Sequence, residues 1–183
     1  MPLYFAYGSN MDVEAMRTRA PASRPLGAAR LPRSRFIIME GGYASFLRDP
    51  QRSVHGVLWD LALADVRSLD RYEGVASGLY KKIQQPVLRE GGGSARALIY
   101  VGASTARGEP RAGYMESVLA AARAWSFPDA YMRELAACAP RVAAGAAPVW
   151  RAPDGSPQTA ATPERSGPAA KVRPRFATPF DRT

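Results

Sequence analysis

Short apolar runs divided by polar or glycine-rich turns predict several strands in the first two thirds of the chain. Each run is either wholly apolar or alternates between apolar and polar positions, as strands do. The predicted strands are residues 3–7, 35–40, 43–48, 54–61, 79–89 and 95–102. The last two are joined by the glycine-rich EGGGS segment, which favours a hairpin. Pro86 has no N–H to donate to a ladder, so we expect its strand to lie at a sheet edge or to carry a bulge.

Other segments, with apolar residues at helical spacing, fall between these strands in no regular order. The predicted helices are residues 12–19, 62–74, 112–125 and 128–138. Asn10 or Asp12 caps the first of them, since both side chains accept hydrogen bonds from the first turn of a helix. Because strands and helices do not alternate strictly, the order favours an α+β sheet or barrel over a doubly wound fold.

The composition changes near residue 140. Residues 141–183 are rich in Ala, Pro, Gly, Ser and Thr and have no period. Such a segment either stays disordered or wraps the body in an extended form, with Trp150, Phe176 and Phe180 as anchors. The sequence therefore predicts one domain over residues 1–140 and a basic, Pro/Ala-rich tail over residues 141–183.

Glu73 occupies an unusual position in the second predicted helix. Val66, Leu69 and Glu73 share one face, and Gly74 ends the helix. The last turn is the negative end of the helix dipole, and an apolar face turns inward, so both effects raise the pKa of a carboxyl group there. The alternative is that Glu73 lies on the surface at a frayed helix end, with Tyr72 in the buried position.

The segment Tyr7–Met11, YGSNM, lies between the first strand and the first helix. A glycine and small polar residues at this point present backbone N–H groups to a carboxylate, a phosphate or an oxyanion. The alternative is an ordinary turn with a helix cap. The phosphate-binding pattern G-x-x-x-x-G-K-[ST] does not occur in the sequence.

Composition and charge exclude several classes of function. The net charge is +9, but six basic and three acidic residues fall after position 150, and the other arginines are scattered without an RNA-binding or zinc-finger motif. We therefore expect no specific nucleic-acid partner.

No apolar run is long enough to cross a membrane, and no export signal precedes the first strand, so we expect a cytoplasmic location. One cysteine, Cys138, and one histidine, His55, make no familiar zinc set, and Ser9 lacks the G-x-S-x-G setting of a hydrolase nucleophile.

Four segments together resemble the γ-glutamylcyclotransferase family, within the AIG2-like superfamily. They are YFAYGSNM, EGGYASFLRDPQRSVHGVLWDL, LDRYEGVASGLYKK and EPRAGYMESVLAAARAWSFPDAYMRELAA. They follow the family's order and cover roughly residues 3–140. The resemblance implies a small mixed β-barrel with short flanking helices and a pocket at one end. It also implies an enzyme in which the α-amine of a γ-glutamyl substrate attacks its own γ-carbonyl, releasing 5-oxoproline and an amine.

The resemblance also implies roles for individual residues. Glu73 matches the catalytic glutamate, which carries the proton, and Gly8, Ser9, Asn10 and Met11 match the loop that holds the substrate. Tyr80 and Tyr114 match tyrosines that position the substrate, and Tyr7 packs beneath the loop. No metal and no organic cofactor is implied, the expected partner is a small γ-glutamyl compound, and the family admits a homodimer.

Three functions stay open from the sequence. The first is γ-glutamylcyclotransferase activity, either in general γ-glutamyl metabolism or in removing a γ-glutamyl protecting group during a biosynthesis. The second is other amide or amine chemistry that uses Glu73 in the same role. The third is a non-catalytic module that uses the loop as an anion site.

Overall fold

Five strands close into a barrel in the computed structural model, which describes residues 2–140, 150–151 and 157–158. The strands are β1 (Leu3–Ala6), β2 (Arg24–Ile38), β3 (Ala44–Asp60), β4 (Tyr80–Arg89) and β5 (Ser94–Gly102). Their order around the barrel is β1-β3-β2-β4-β5, and β1 closes it by pairing parallel to β5 at Tyr4 and Leu98. The other pairs are antiparallel. The predicted mixed α+β barrel is therefore confirmed.

Four short helices flank the barrel within the described residues. They are α1 (Val13–Arg19), α2 (Val66–Tyr72), α3 (Tyr114–Ala124) and α4 (Asp129–Ala136). Asp12, and not Asn10, caps α1, since its carboxylate accepts hydrogen bonds from the backbone N–H groups of Glu14 and Ala15 at 2.8 and 3.1 Å. Asn10 is thereby left to point elsewhere. No helix among the described residues is long and apolar enough to span a lipid bilayer.

Strands β2 and β3 are much longer than the sequence predicts. The two strands predicted over residues 43–48 and 54–61 are one strand, β3, whose middle part is mostly exposed and therefore polar. Residues 24–34, which make up most of β2, were not predicted as a strand. The pairing of β2 with β3 shifts register at Pro25/Gly27 and at Pro32/Ser34, and such bulges accommodate residues that otherwise break strands.

The predicted β4–β5 hairpin is confirmed, with Gly92 and Gly93 at positive φ in its turn. On its other side β4 pairs with β2 only at Leu88 and Arg89. Pro86 is paired with Arg96 of β5 but has no strand partner on the β2 side of β4, so it lies at a sheet edge as expected for a residue without an N–H.

Apolar side chains fill the barrel and the space under the helices. Trp59, Phe5, Leu69, Ile99 and Met115 are among the fully buried ones. Outside the barrel, α3 packs on α4 and on the turn that follows β1. The indole N–H of Trp125, just after α3, donates to the carbonyl oxygen of Met11 at 2.8 Å. This contact ties the end of α3 to the loop between β1 and α1.

The predicted tail, residues 141–183, lies outside the described residues apart from two short strands. These are β6 (Trp150–Arg151) and β7 (Pro157–Gln158), which pair antiparallel with each other. The proposed anchors Phe176 and Phe180 and the side chain of Trp150 are likewise outside the described part, so the tail stays a prediction.

Candidate active site

The loop after β1 turns its polar side chains into the protein. Ser9–Met11 form a single 3₁₀ turn, which the backbone N–H of Met11 closes by donating to the carbonyl of Gly8 at 3.0 Å. Because Asp12 caps α1, Asn10 is not needed at the helix end. Its side chain is 3% exposed and Ser9 is also buried. A buried amide must find hydrogen-bond partners.

The amide of Asn10 meets Glu73, which lies 63 positions further along the chain. The Nδ2 atom of Asn10 donates to Oε1 of Glu73 at 2.8 Å and to the hydroxyl of Tyr4 at 2.9 Å. Glu73 is the residue that follows α2, and Gly74 turns the chain away at a φ of +63°. The loop and the carboxyl group are therefore in direct contact.

Glu73 is buried, in agreement with one of the two interpretations of the sequence. Its residue is 8% exposed, and Tyr72 is buried as well, so the tyrosine does not displace the glutamate. Burial raises the pKa of Glu73 to about 8, while the nearby charge of Arg19 and the hydrogen bond from Asn10 act in the opposite direction. The predicted rise in pKa is confirmed. Its main physical cause is removal from water, which disfavours the charged form.

The raised pKa of Glu73 predicts a pH dependence of folding. Because this pKa is higher in the folded protein than its ordinary value of 4.5, the folded state holds the proton more tightly. The stabilisation is fully present below about pH 4.5 and is lost as the pH rises through about 8, with the free energy of unfolding falling by about 1.4 kcal/mol for each pH unit between these values. Urea denaturation of the parent and of Glu73→Gln between pH 5 and 9 measures it. We expect the parent to lose stability relative to the variant as the pH rises, and parallel curves would contradict the raised pKa.

A narrow cavity opens beside Glu73. It leaves about 30 Å³ for the centres of water molecules, so a slender chain fits it better than a bulky group. Its walls are unusually rich in tyrosine. The lining residues are Tyr4, Tyr7, Gly8, Ser9, Asn10, Tyr43, Ala44, Tyr72, Glu73, Tyr80, Tyr100 and Tyr114.

The tyrosine hydroxyls mostly fix the walls of this cavity. The hydroxyl of Tyr80 donates to the carbonyl of Ala44 at 2.6 Å, and the N–H of Ala44 donates to the hydroxyl of Tyr114 at 3.1 Å. The hydroxyl of Tyr7 donates to the carbonyl of Tyr100 at 2.7 Å. The hydroxyl of Tyr114 also lies against the loop, since a Cβ added to Gly8 would come within 2.8 Å of it. These bonds hold the rings in one arrangement around Glu73.

Of the eight residues singled out in the sequence, the structure brings seven to the cavity. They are Tyr7, Gly8, Ser9, Asn10, Glu73, Tyr80 and Tyr114. Met11 is the exception: it is fully buried and does not line the cavity. Its backbone N–H closes the turn and its carbonyl accepts from Trp125, so both of these groups are used within the protein. Met11 anchors the loop from behind.

The eight residues did not include Arg19 or four of the tyrosines that line the cavity. These tyrosines are Tyr4, Tyr43, Tyr72 and Tyr100. Arg19 ends α1 and is 6% exposed. Its guanidinium donates to Oδ1 of Asn10 and lies 4.0 Å from the ring centre of Tyr72. The signal in the sequence is that Arg19 follows the apolar Met16 by three positions and so shares its face of the helix.

Metal ligands are not grouped in this part of the chain. Within residues 2–140, no set of three His, Cys, Asp or Glu side chains comes close enough to hold a metal ion. The groups available for chemistry at the cavity are therefore one carboxyl group, one amide, hydroxyls and backbone N–H groups.

Known proteins with a similar sequence and fold include γ-glutamylcyclotransferases. The model of the AIG2-like family matches residues 53–135, a range that contains Glu73. The γ-glutamylcyclotransferase of Homo sapiens is 29% identical over 148 residues, which are 75% of this chain and 79% of that protein. The protein of the same name from Bos taurus is 29% identical over 143 residues, or 73% and 76% of the two chains. A solved structure described as a γ-glutamyl cyclotransferase superposes with a TM-score of 0.72 at 27% identity, covering 80% of this chain and 93% of that one.

A closed five-stranded barrel with a buried carboxyl group beside a Gly-Ser-Asn turn defines the class of this protein as a barrel of the γ-glutamylcyclotransferase type. The resemblance found in the sequence motifs is thus confirmed in the fold and in the comparisons. The chain is similar to the AIG2-like family over residues 53–135 and to curated γ-glutamylcyclotransferases over about three quarters of its length.

Proposed function

We propose that this protein is a γ-glutamylcyclotransferase that converts a γ-glutamyl amide into 5-oxoproline and a free amine. The observation that carries the proposal is the Glu73 carboxyl group, buried in a narrow cavity, with a pKa raised to about 8 and a hydrogen bond to the Gly-Ser-Asn loop. A group whose pKa lies near working pH both takes and returns a proton efficiently. The similarity to the curated γ-glutamylcyclotransferases supports the same reaction.

The first step is removal of a proton from the α-ammonium group of the substrate. Binding of that cation near Glu73 favours the charged carboxylate, because an opposite charge within about 4–6 Å lowers the pKa of an acid. The carboxylate then accepts one ammonium proton, which frees the lone pair of the α-nitrogen. Glu73 is suited to this step because it is shielded from bulk water.

Ring closure follows. The α-nitrogen attacks the γ-carbonyl carbon, a new C–N bond forms, and the carbonyl oxygen takes the negative charge of the tetrahedral intermediate. The loop Gly8–Asn10 lies at this end of the cavity and is the element that we assign to the glutamyl group. A preorganised donor for such an oxyanion lowers a barrier by about 3 kcal/mol. The tight walls around Ala44 hold the flexible chain bent, which is an entropic contribution.

The last step breaks the original amide bond. As the carbonyl re-forms, Glu73 gives its proton to the leaving nitrogen, and the regenerated carboxylate then takes the second proton from the ring nitrogen, which completes 5-oxoproline. This proton passes on to the amine, which departs as an ammonium ion and leaves Glu73 as the carboxylate. No water molecule is consumed. The reaction needs only the movement of two protons in turn, from the α-nitrogen to the leaving nitrogen, through one carboxyl group.

A product assay tests the proposal. The protein is incubated with γ-glutamyl amino acids, γ-glutamyl peptides and γ-glutamyl amines, and 5-oxoproline is measured by mass spectrometry. We expect 5-oxoproline from at least one of these classes, and the best class identifies the leaving group. Release of free glutamate without 5-oxoproline would show hydrolysis instead and would overturn the proposed reaction.

The proposal includes the setting of the reaction. The partner is a small γ-glutamyl compound and not a nucleic acid or a membrane, the site of action is the cytoplasm, and the product enters glutathione-related metabolism. The similarity to proteins named γ-glutamylcyclotransferase supports the γ-glutamyl compound as the partner. Cell fractionation with an antibody against the protein, and 5-oxoproline levels in cells lacking it, test these points.

A further inference from the structure

Arg19 has no role in the reaction proposed above. It is a buried cation at the end of α1, behind the loop that meets Glu73. One further contact holds it there: Nη1 of Arg19 donates to the hydroxyl of Ser9 at 3.3 Å. That hydroxyl in turn lies 3.0 Å from the hydroxyl of Tyr72. Burying a guanidinium is unfavourable unless it is hydrogen-bonded and its charge is used.

The hydrogen bonds run in one direction from Arg19 to Glu73. A guanidinium has donors only, so the Asn10 atom that faces it must be the acceptor Oδ1. The Nδ2 group of Asn10 then faces the other way and donates to Oε1 of Glu73 at 2.8 Å. Without Arg19, the amide of Asn10 is free to turn over and present its oxygen to the carboxyl group. Asn10 is thus an oriented link between a fixed cation and the acid.

The other groups around Glu73 carry no charge near neutral pH. Tyrosines from β1 and the loop after it, and from α2, β4, β5 and α3, face it. Burial raises the pKa of each one above its ordinary value, so they stay neutral. They are Tyr4, Tyr7, Tyr72, Tyr80, Tyr100 and Tyr114. Among the described residues, Arg19 is the cation whose charge lowers the pKa of Glu73.

We propose that Arg19 is a positioning residue for Glu73, which orients the Asn10 amide toward the carboxyl group and stabilises the charged carboxylate through that link. The inference rests on the proposed function only in that Glu73 is the proton carrier. In the absence of Arg19 the carboxyl group would hold its proton more tightly, and less of the protein would be in the form that accepts a proton from the substrate.

Direct titration of Glu73 tests this without any need for turnover. Protein labelled with ¹³C at the glutamate carboxyl carbons is titrated by NMR, and the Glu73 signal is the one missing from Glu73→Gln. We expect Arg19→Met and Arg19→Gln, which both remove the charge, to raise the pKa of Glu73 by about 1. Arg19→Lys keeps a cation without the planar fork and should give a smaller rise. An unchanged pKa of Glu73 in a folded neutral variant would overturn the proposal.

Arg17→Gln is the matched control. Arg17 belongs to the same helix, but its side chain is 70% exposed and pairs with Glu14 on the surface. We expect no change in the pKa of Glu73 in this variant. Circular dichroism shows which variants fold. If neither neutral variant folds, the side-chain amide ¹⁵N of Asn10 is followed in the parent protein: a midpoint equal to that of Glu73 supports the link, and no response to pH contradicts it.

Kinetics separate this inference from the proposed function. In Arg19→Met the rising acid limb of kcat/KM should move to higher pH with Glu73, so that activity at pH 7 falls about tenfold when the pKa rises by about 1, and largely returns at high pH. A merely structural defect would lower activity at every pH. If the parent makes no 5-oxoproline but the pKa of Glu73 rises in the neutral variants, the reaction is wrong and the role of Arg19 stands. If the parent makes 5-oxoproline and the pKa of Glu73 is unchanged in the neutral variants, the proposed reaction stands and the proposed role of Arg19 is wrong.

Discussion

Glu73→Gln is expected to abolish 5-oxoproline formation while leaving the fold intact. Glutamine keeps the shape of the side chain and still offers an oxygen to the Nδ2 group of Asn10, which now lies 2.8 Å from the carboxyl oxygen. It cannot take or return a proton. Since positioned acid–base groups contribute about 10²–10⁴-fold to rate, we expect kcat to fall at least a hundredfold. Kinetics on the best γ-glutamyl substrate, with circular dichroism on the same sample, measure both parts.

The pattern of kinetic constants sharpens this test. The substrate should still bind, because the loop and the tyrosine walls are unchanged, so KM is expected to move little compared with kcat. Glu14→Gln is a suitable control, since Glu14 is an exposed glutamate that pairs with Arg17 on the surface of α1. Turnover in Glu73→Gln equal to that of the parent would rule out the mechanism even if 5-oxoproline is the product.

Gly56→Ala is expected to have the largest effect on stability. Gly56 lies in β3, opposite Ala29 of β2, at a point where β1 crosses closely. A Cβ atom there would overlap the carbonyl oxygen of Ala6 and come within 2.7 Å of the ring of Phe5. The backbone of β1 cannot move aside without breaking its ladder with β3. We expect a loss of about 3 kcal/mol or more, which lowers Tm by about 10 °C in a protein of this size.

Gly41→Ala is the control for this substitution. A Cβ on Gly41 would meet its nearest neighbours, Leu79 and Tyr43, at 3.6 and 3.8 Å, which are ordinary contact distances. Thermal denaturation should therefore give a Tm close to that of the parent. Gly56→Ala with the Tm of the parent would show that β1 and β3 do not approach each other as closely as the structure has them.

The sequence predicted the elements that follow simple rules and missed those that depend on pairing. Apolar strands bounded by glycine, such as the hairpin at Gly92 and Gly93, were found because local conformation decides them. Residues 24–34 of β2 were not found, since Pro25, Gly27 and Pro32 normally interrupt strands. They are accommodated by bulges against β3, and a bulge is a property of two strands together.

In the candidate site, too, features decided by local sequence were predictable and features decided by the tertiary structure were not. The raised pKa of Glu73 was predictable from its place on an apolar helix face, and the loop from its glycine and small polar residues. That Asn10 and not Ser9 meets the carboxyl group, and that Met11 faces away from the cavity, depends on the single 3₁₀ turn between β1 and α1. Arg19 was missed because a charged residue on a helix is expected to face water, and only the tertiary structure shows it buried against Tyr72.

The cavity walls come from distant parts of the chain. The loop follows β1, Ala44 begins β3, Glu73 follows α2, and Tyr114 begins α3. No excised peptide or half of the molecule can therefore hold the reacting groups together. Catalytic competence arrives only when the last of these segments docks during folding, so a newly made chain stays inert toward γ-glutamyl compounds until the whole architecture has assembled.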